Sequence, residues 1–248
     1  MNLSLAAAAF VPGLAVGSFL NVVAARLPAG RSVVKPGSAC SSCGAAIAWF
    51  DNIPLLSYVL LRGRCRACGV RIGLAYPAVE LATALLAAGC VLAFGLSLRA
   101  LVAALFCTVL VGVSAVDLEH RIIPNRLVLP ATAVVLAAQT ALAPGAEWAL
   151  GALGAALFLL TAALAYPRGM GMGDVKLALL LGAALGRTVP VALMVGMLAA
   201  LVPALFLLAR HGTAARKMAI PFGPFLALGG VVALFAGEPL LDAYLTLF

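Results

Sequence analysis

Long apolar runs, separated by short polar segments, recur along the whole chain of 248 residues. The runs are continuously apolar and rich in Ala, Leu and Val, whereas an outer-membrane barrel shows short segments of alternating polarity, so they predict helices. A membrane-spanning helix needs about 20 mostly apolar residues. The runs that reach or approach this length are Leu3–Ala25, Pro77–Leu98, Ala100–Val116, Leu127–Ala143, Trp148–Tyr166, Val175–Leu185, Val189–Ala209 and Pro224–Leu247. The predicted fold class is therefore an all-α polytopic membrane protein with about eight transmembrane helices.

The composition excludes a water-soluble protein. Hydrophobic residues make up 65% of the chain and charged residues 10%, with a mean hydropathy of +1.18. A soluble domain has roughly 45–50% apolar and about 25% charged residues. Disorder is excluded as well, because disordered chains are poor in apolar residues. Two small-residue spacings, Gly13-xxx-Gly17 and Gly182-xxx-Gly186, favour close packing of helices.

The basic residues set the predicted topology. Seven of the 16 Lys and Arg residues fall between Arg26 and Arg71, in the one long polar stretch, which the positive-inside bias places in the cytoplasm. If the later loops alternate sides, only Arg99 and Arg187 fall outside, so both termini are predicted to lie outside. The other basic residues assigned to the cytoplasm are Arg121, Arg126, Arg168, Lys176, Arg210, Arg216 and Lys217.

Two further expectations follow from the charges. No basic residue precedes the first apolar run, so this run is predicted to be a retained helix rather than a cleaved signal peptide. The net charge of +8 is explained by topology and by contact with the anionic headgroups of the lipid bilayer. Because no segment resembles a nucleic-acid-binding module, no nucleic-acid partner is predicted.

Residues 26–76 are predicted to form a cytoplasmic insert that holds a metal. Two C-x-x-C pairs supply four thiolates, which suit a tetrahedral and structural Zn²⁺ site. A domain as small as this insert often needs a bound metal for stability. The cysteines concerned are Cys40, Cys43, Cys65 and Cys68. A redox pair or unpaired thiols are the alternative, whereas structural disulfides disagree with the reducing cytoplasm. Cys90 and Cys107 lie in apolar runs and are predicted to be packing residues.

Two of the eight acidic residues stand at the cytoplasmic ends of predicted spans. Asp117 closes the third run, and Asp174 follows Gly171-Met-Gly173 at the start of the sixth. Ionisable groups at such positions are costly, which makes them functional candidates. Two carboxyl groups that come from different helices and share a proton can carry out aspartic-protease chemistry. The alternatives are a helix N-cap for Asp174 and a solvated helix end, beside Arg121, for Asp117.

Other charged residues are secondary candidates. Glu80, about one turn into the second span, is expected to neutralise a basic group or to line a polar cavity. Lys176 is expected either to influence the nearby Asp174 carboxyl or to extend to the membrane interface. Glu119 is the rival of Asp117 as the acid.

An ordered set of motifs covers almost the whole chain. It consists of Gly17-Ser-Phe-Leu-Asn-Val-Val23, Arg26-Leu-Pro28, Asp51-Asn-Ile-Pro-Leu-Leu-Ser57, the two C-x-x-C pairs, Tyr76-Pro-Ala-Val-Glu80, Asp117 with Ile123-Pro124, Gly171-Met-Gly-Asp174-Val-Lys-Leu177 and Pro221-Phe-Gly-Pro224. In this order the motifs resemble those of the bacterial type IV prepilin peptidases, which are GxGD membrane aspartic proteases.

The resemblance implies an aspartic endopeptidase of the bacterial inner membrane, with Asp117 and Asp174 as its catalytic pair. The enzyme is expected to cut the basic leader from type IV prepilins or pseudopilins at the cytoplasmic face. S-adenosylmethionine-dependent N-methylation of the new N-terminus is also expected, because the chain keeps the insert of bifunctional family members. Gly63, Arg64 and Glu80 are the residues expected to bind that cofactor.

The expected domain organisation has three parts. Residues 1–25 form the first transmembrane helix, residues 26–76 the zinc-binding insert, and residues 77–248 the remaining helices with the protease site. The rival interpretation is a small proton- or cation-coupled transporter, which predicts acids near the bilayer midplane and an inverted repeat. A methyltransferase without peptidase activity is a third interpretation.

Overall fold

Helices account for nearly all regular structure in this protein. The computed structural model describes residues 2–166, 169–212 and 220–246, and the predicted cytoplasmic residues Arg168, Arg216 and Lys217 lie outside these ranges. The helices of the described ranges are α1 (Asn2–Arg26), α2 (Leu56–Leu60), α3 (Ala75–Phe94), α4 (Leu98–His120), α5 (Asn125–Leu142), α6 (Glu147–Ala165), α7 (Met172–Leu185), α8 (Val189–His211) and α9 (Gly223–Leu245). Short 3₁₀ turns occur at Trp49–Asn52 and Gly186–Thr188.

The predicted polytopic helical fold is confirmed. Seven helical stretches are long and apolar enough to cross a membrane, and one of them, Met172–His211, is 40 residues long. This stretch contains both α7 and α8, which are divided at Gly186, where φ is +54°. Each of the eight predicted apolar runs therefore corresponds to one long helix, although two of these helices share a single stretch.

Two helix boundaries differ from the apolar runs in a way that matters for the candidate site. The backbone of α4 continues past the last apolar residue, Val116, to His120, so Asp117 lies inside the helix. Helix α7 begins at Met172, so Asp174 lies in its first turn. The apolar pattern marks where the side chains stop being hydrophobic, whereas the backbone hydrogen bonds continue into the polar ends.

The chain divides into two compact units, residues 1–116 and 117–248. In the first unit, α1 and α3 pack closely in antiparallel fashion through small residues. A Cβ atom at Gly13 would lie 2.7 Å from the Ala84 Cα, and one at Gly17 would lie 2.6 Å from the Glu80 Cα. The spacing of these two glycines therefore serves close helix packing, as predicted.

In the second unit, α7 is the buried helix. Leu177, Leu180 and Leu181 have no exposed surface. Two neighbouring helices, α8 and α9, pack against each other in antiparallel fashion, because Gly196 meets Leu226 while Thr188 meets Gly237. Because α7 is buried among its neighbours, the polar residues in its first turn have a fixed position.

Helices α6 and α7 of the second unit also pack in very close contact. A Cβ atom at Gly182 would lie 2.5 Å from the Ala152 Cα and would also collide with the Gly151 carbonyl group. Both obstacles are backbone, which cannot move aside as a flexible side chain can.

We predict that Gly182→Ala separates α6 from α7 and destabilises the protein by about 1–3 kcal/mol. Thermal unfolding of the purified protein in detergent measures the effect as a lower midpoint. The matched control is Gly154→Ala on α6, where a Cβ atom meets nothing within 4 Å. Equal midpoints for the two variants would contradict the prediction.

Candidate functional site

A cavity of about 400 Å³ in the second unit is lined by both candidate aspartates. Its walls come from the end of α4, the loop between α4 and α5, the first turn of α7 and the segment that precedes α9. These segments lie far apart in the sequence. The packing of the second unit therefore brings Asp117 and Asp174 to one cavity, although 57 residues separate them in the sequence.

Asp117 lies in the last turn of α4 and is 5% exposed. Its Oδ2 accepts a hydrogen bond of 2.9 Å from the backbone N–H of Gly223, the first residue of α9. The carboxyl group is thus buried and held by the polypeptide backbone, in contrast to the solvated helix end that the sequence left open. A helix N-terminus also offers a favourable potential for negative charge.

Gly223 is a residue of this site that sequence reasoning did not single out. A Cβ atom at this position would lie 2.8 Å from the Asp117 Oδ2. The absence of a side chain allows the α9 backbone to approach the carboxylate. The signal was present in the motif Pro221-Phe-Gly-Pro224, which contains this glycine, but the motif alone does not say what the glycine touches.

Asp174 is the third residue of α7, and it is 9% exposed. Its Oδ2 accepts a hydrogen bond of 3.2 Å from the N–H of Gly171, which occupies the N-cap position. The aspartate is therefore not the N-cap itself, but one of its oxygens helps to cap the helix. A Cβ atom at Gly173 would lie 2.8 Å from the Ile123 Cβ, so this glycine lets the loop after α4 pack against the start of α7.

The two carboxyl groups share several features that suit acid–base chemistry. Each is buried, each has an oxygen held by a backbone N–H group, and both line the same cavity. A pair of carboxyl groups in one low-dielectric site does not ionise twice easily, so one group can remain protonated while the other is charged.

Two secondary candidates are also placed by the structure. Lys176 lines the same cavity, and its Nζ donates a hydrogen bond of 2.8 Å to the Asn125 Oδ1 at the start of α5. The ammonium group is therefore held at the cavity wall. Glu119 has a side chain that is 67% exposed and does not line the cavity.

The four cysteines of the insert form one cluster. Each offers a sulfur atom, and the four sulfurs of Cys40, Cys43, Cys65 and Cys68 lie within 4.8 Å of one another. The Cys40 and Cys68 sulfurs are 3.9 Å apart. A tetrahedron with metal–sulfur bonds of about 2.3 Å has edges of about 3.8 Å, so this donor set fits a tetrahedral metal ion. All six cysteines lie in the described ranges, and none of them forms a disulfide.

The thiols of the cluster differ in acidity. Backbone N–H groups of Cys43 and Ser42 lower the pKa of Cys40 to about 6. At Cys68 the Val70 N–H lowers the pKa, but desolvation and sulfur hydrogen bonds outweigh it and raise the pKa to about 11. A thiolate is thus favoured at Cys40, whereas a thiolate at Cys68 is favoured only when a cation lies beside it.

A second cavity, of about 660 Å³, lies in the first unit between α1, the insert and the start of α3. Glu80 lines it, is 8% exposed, and accepts a hydrogen bond of 2.9 Å at Oε2 from the Leu55 N–H. Asp51 also lines it and forms a bidentate pair with Arg66, with N–O distances of 2.7 and 2.6 Å. The guanidinium hydrogen bonds hold the pKa of the Asp51 carboxyl below its usual range.

Gly63 and Arg64 are not among the residues that line this cavity. Gly63 is buried, with φ at +65°, and a Cβ atom there would lie 2.8 Å from the Tyr58 Oη. Tyr58 itself lines the cavity and donates a hydrogen bond to the Ile72 carbonyl oxygen. Arg64 is exposed. The structure thus brings Glu80 to the cavity directly, Gly63 through a neighbour, and Arg64 not at all.

Two family models match the chain, one over the cysteine cluster and one over the two aspartates. The model described as "Bacterial Peptidase A24 N-terminal domain" matches residues 11–94, and the model described as "Type IV leader peptidase family" matches residues 104–208. The first covers the insert with its cysteines, and the second covers both aspartates.

Curated relatives named prepilin leader peptidase/N-methyltransferase extend the similarity to almost the whole chain. The protein from Bacillus subtilis is 36% identical, over 95% of this chain and 96% of the relative. Those from Burkholderia pseudomallei (strain 1026b) and Pseudomonas aeruginosa are 38% and 36% identical, over 93% and 94% of this chain and 85% and 91% of the relatives.

This chain therefore belongs to the type IV leader peptidase family, and it is a multi-pass membrane protein. The resemblance inferred from the ordered motifs is confirmed. The transporter interpretation is not supported by these relatives. No solved structure gives a significant match to the chain.

Proposed function

We propose that this protein is an aspartic endopeptidase that removes the basic leader from type IV prepilins or pseudopilins and then methylates the new N-terminus. The observation that carries the proposal is the cavity of the second unit, which buried Asp117 and Asp174 both line. Membership of a leader peptidase family supports the same chemistry. The names of the relatives support both activities.

Cleavage uses one carboxylate and one carboxylic acid of the pair. The carboxylate takes a proton from water while the water oxygen attacks the scissile carbonyl carbon, and the acid donates its proton to the carbonyl oxygen. When the tetrahedral intermediate breaks its C–N bond, the proton taken from water passes to the leaving amine. The other carboxylate takes a proton from the intermediate as the new carboxyl group forms, which restores the pair.

The hydrogen bonds described above keep the pair in place. One oxygen of Asp117 faces the Gly223 N–H, and one oxygen of Asp174 faces the Gly171 N–H. Each carboxyl group therefore has a fixed orientation before substrate arrives, which favours catalysis because no reorganisation is needed.

The proposed setting is the inner membrane of a bacterium, with both termini outside and the insert in the cytoplasm. Residues 1–25 are the first span, residues 26–76 the insert, and residues 77–248 the part that carries the peptidase site. The bias of basic residues supports this orientation. The leader of the substrate then remains in the cytoplasm, on the side where the positive-inside bias places both aspartates.

The ion that we assign to the four cysteines is Zn²⁺, in a structural role. Cysteine thiolates at tetrahedral spacing are the preferred zinc ligands, and four of them leave no open coordination position. The ion would tie the two C-x-x-C segments together.

For methyl transfer we assign S-adenosylmethionine to the cavity of the first unit. A volume of about 660 Å³ suits a ligand of this size, and buried Glu80 can oppose the positive charge of a sulfonium group. When bound, this cofactor supplies an electrophilic methyl group to the amine of the processed pilin. Gly63 would act by leaving room for Tyr58 in the cavity wall, whereas exposed Arg64 lies outside the cavity and is not assigned to the cofactor.

We predict that Asp117→Asn and Asp174→Asn each lower prepilin cleavage by about 10²–10⁴-fold, because the pair loses its acid or its base. The assay is incubation with a prepilin in detergent, with and without S-adenosylmethionine, read by mass spectrometry. Glu119→Gln is the matched control, since this exposed carboxyl lies two residues from Asp117 and outside the cavity. Wild-type cleavage by either asparagine variant would refute the pair.

The same assay separates the two activities. A pilin that already lacks its leader should still be methylated by the Asp174→Asn variant. Loss of methylation of this pre-cleaved pilin in the Asp174→Asn variant would contradict the assignment of the two reactions to different cavities.

Gly223→Ala is predicted to lower cleavage by about 10²-fold, because a methyl group 2.8 Å from the Asp117 Oδ2 displaces that carboxylate. The thermal midpoint should change little in comparison. Gly154→Ala serves again as control, with open space around the added methyl group. Normal cleavage by Gly223→Ala would show that the contact with α9 does not position the aspartate.

The purified protein is predicted to contain about one zinc ion per chain, as measured by elemental mass spectrometry. Replacing one ligand in Cys40→Ser should remove most of the metal. Cys90→Ala, at a buried cysteine outside the cluster, should leave the zinc content unchanged. Metal-free wild-type protein would refute the zinc assignment.

A further inference from the structure

Helix α2 of the insert presents an apolar face that no other part of the described chain covers. Its residues Leu56, Val59 and Leu60 are 51%, 70% and 71% exposed. They are spaced by three and four positions, so they share one side of the helix. None of the three lines the cavity of the first unit. In a purely cytoplasmic insert, this face would stand in water.

The start of α2 is hydrogen-bonded to α3 close to the point where the predicted membrane span of α3 begins. The Leu55 N–H, which immediately precedes α2, donates its hydrogen bond to the buried Glu80 side chain of α3. Glu80 lies three residues inside Pro77, where the apolar run of α3 begins, which corresponds to about 4.5 Å along the helix axis. Interfacial helices bury their apolar faces about 5–10 Å into the boundary between headgroups and acyl chains.

The backbone around α2 is built to hold this position. Leu55 has a φ of +58°, a conformation that non-glycine residues rarely adopt without compensation. The buried Ser57 hydroxyl donates to the Phe50 carbonyl oxygen and accepts from the Ile53 N–H, which fixes the preceding turn. A helix of five residues does not form alone in water, so these bonds and the Glu80 contact determine where the apolar face points.

The charges that follow α2 complement a lipid surface. Arg62 and Arg64 come directly after the helix, both are exposed, and neither makes an ion pair with another described residue. The one acidic residue of the insert, Asp51, is already paired with Arg66. Anionic headgroups attract basic side chains of this kind, and long arginine side chains can reach them from the boundary.

We propose that α2 is an interfacial membrane anchor, whose apolar face inserts between the headgroups of the bilayer while Arg62 and Arg64 bind anionic lipid phosphates. The occupant of the face is lipid because the hydrogen bond to Glu80 holds α2 beside the membrane-spanning part of α3. The insert is thereby attached to the membrane at its centre, in addition to its attachment through the transmembrane helices at its two ends. This inference concerns the insert alone and does not rest on the peptidase chemistry.

The test places a single tryptophan on α2. Both native tryptophans are replaced in Trp49→Phe and Trp148→Phe, and Leu60→Trp is added to this background. The full-length protein is reconstituted in vesicles of phosphatidylglycerol and phosphatidylcholine, and fluorescence is measured with lipids brominated near the headgroup end of the acyl chains. Acrylamide measures access from water. Val34→Trp in the same background is the matched control, since Val34 is 77% exposed and lies in a loop of the insert.

We expect the brominated lipid to quench the tryptophan of Leu60→Trp about twofold or more, and acrylamide to quench mainly that of Val34→Trp. Quenching of Leu60→Trp by acrylamide alone would place the face in water and overturn the proposal. Protection from both quenchers would show that protein covers the face, and equal lipid quenching of both variants would show that α2 is not a distinct anchor; either result also overturns it. If Leu60→Trp does not fold, Val59→Trp tests the same face.

Discussion

The candidate site depends on stabilising buried carboxyl groups without water, and the hydrogen bond from the Gly223 N–H to Asp117 is one of the bonds that do so. A carboxyl group near the membrane loses the water that normally stabilises its charge, and a buried ion without partners costs several kcal/mol. In this protein the replacement donors are backbone N–H groups at helix starts. Because backbone donors have fixed positions, they stabilise each carboxyl group and orient it at the same time.

Glycine provides the close approach that this arrangement needs. At Gly223 and Gly173, a side chain would strike the Asp117 carboxylate or Ile123, respectively. Deeper in the second unit, Gly182 lets α7 contact the backbone of α6. Glycines therefore allow close approach both at the site and in the helix packing that supports it. In lipid the hydrophobic effect does not drive helices together, so their association depends on close van der Waals contact.

In the first unit, a small insert must be stabilised and held against the membrane-spanning helices. Its insert is too small for a large hydrophobic core, and the cluster of four cysteines supplies a site for a metal that can hold it together. Glu80 connects the insert to α3 through the Leu55 N–H and also lines the large cavity. One buried carboxylate thus links the position of the insert to the shape of a candidate cofactor site.

The sequence by itself determined the helical membrane fold, the cysteine pairs and the two aspartates, because lipid demands apolar runs and makes every remaining charge conspicuous. It could not show that one cavity joins Asp117 and Asp174, nor that Gly223 holds the first of them. It also did not indicate that Arg64 lies away from the large cavity. These facts depend on contacts between segments that are distant in the chain, and local hydrophobic patterns carry no information about such contacts.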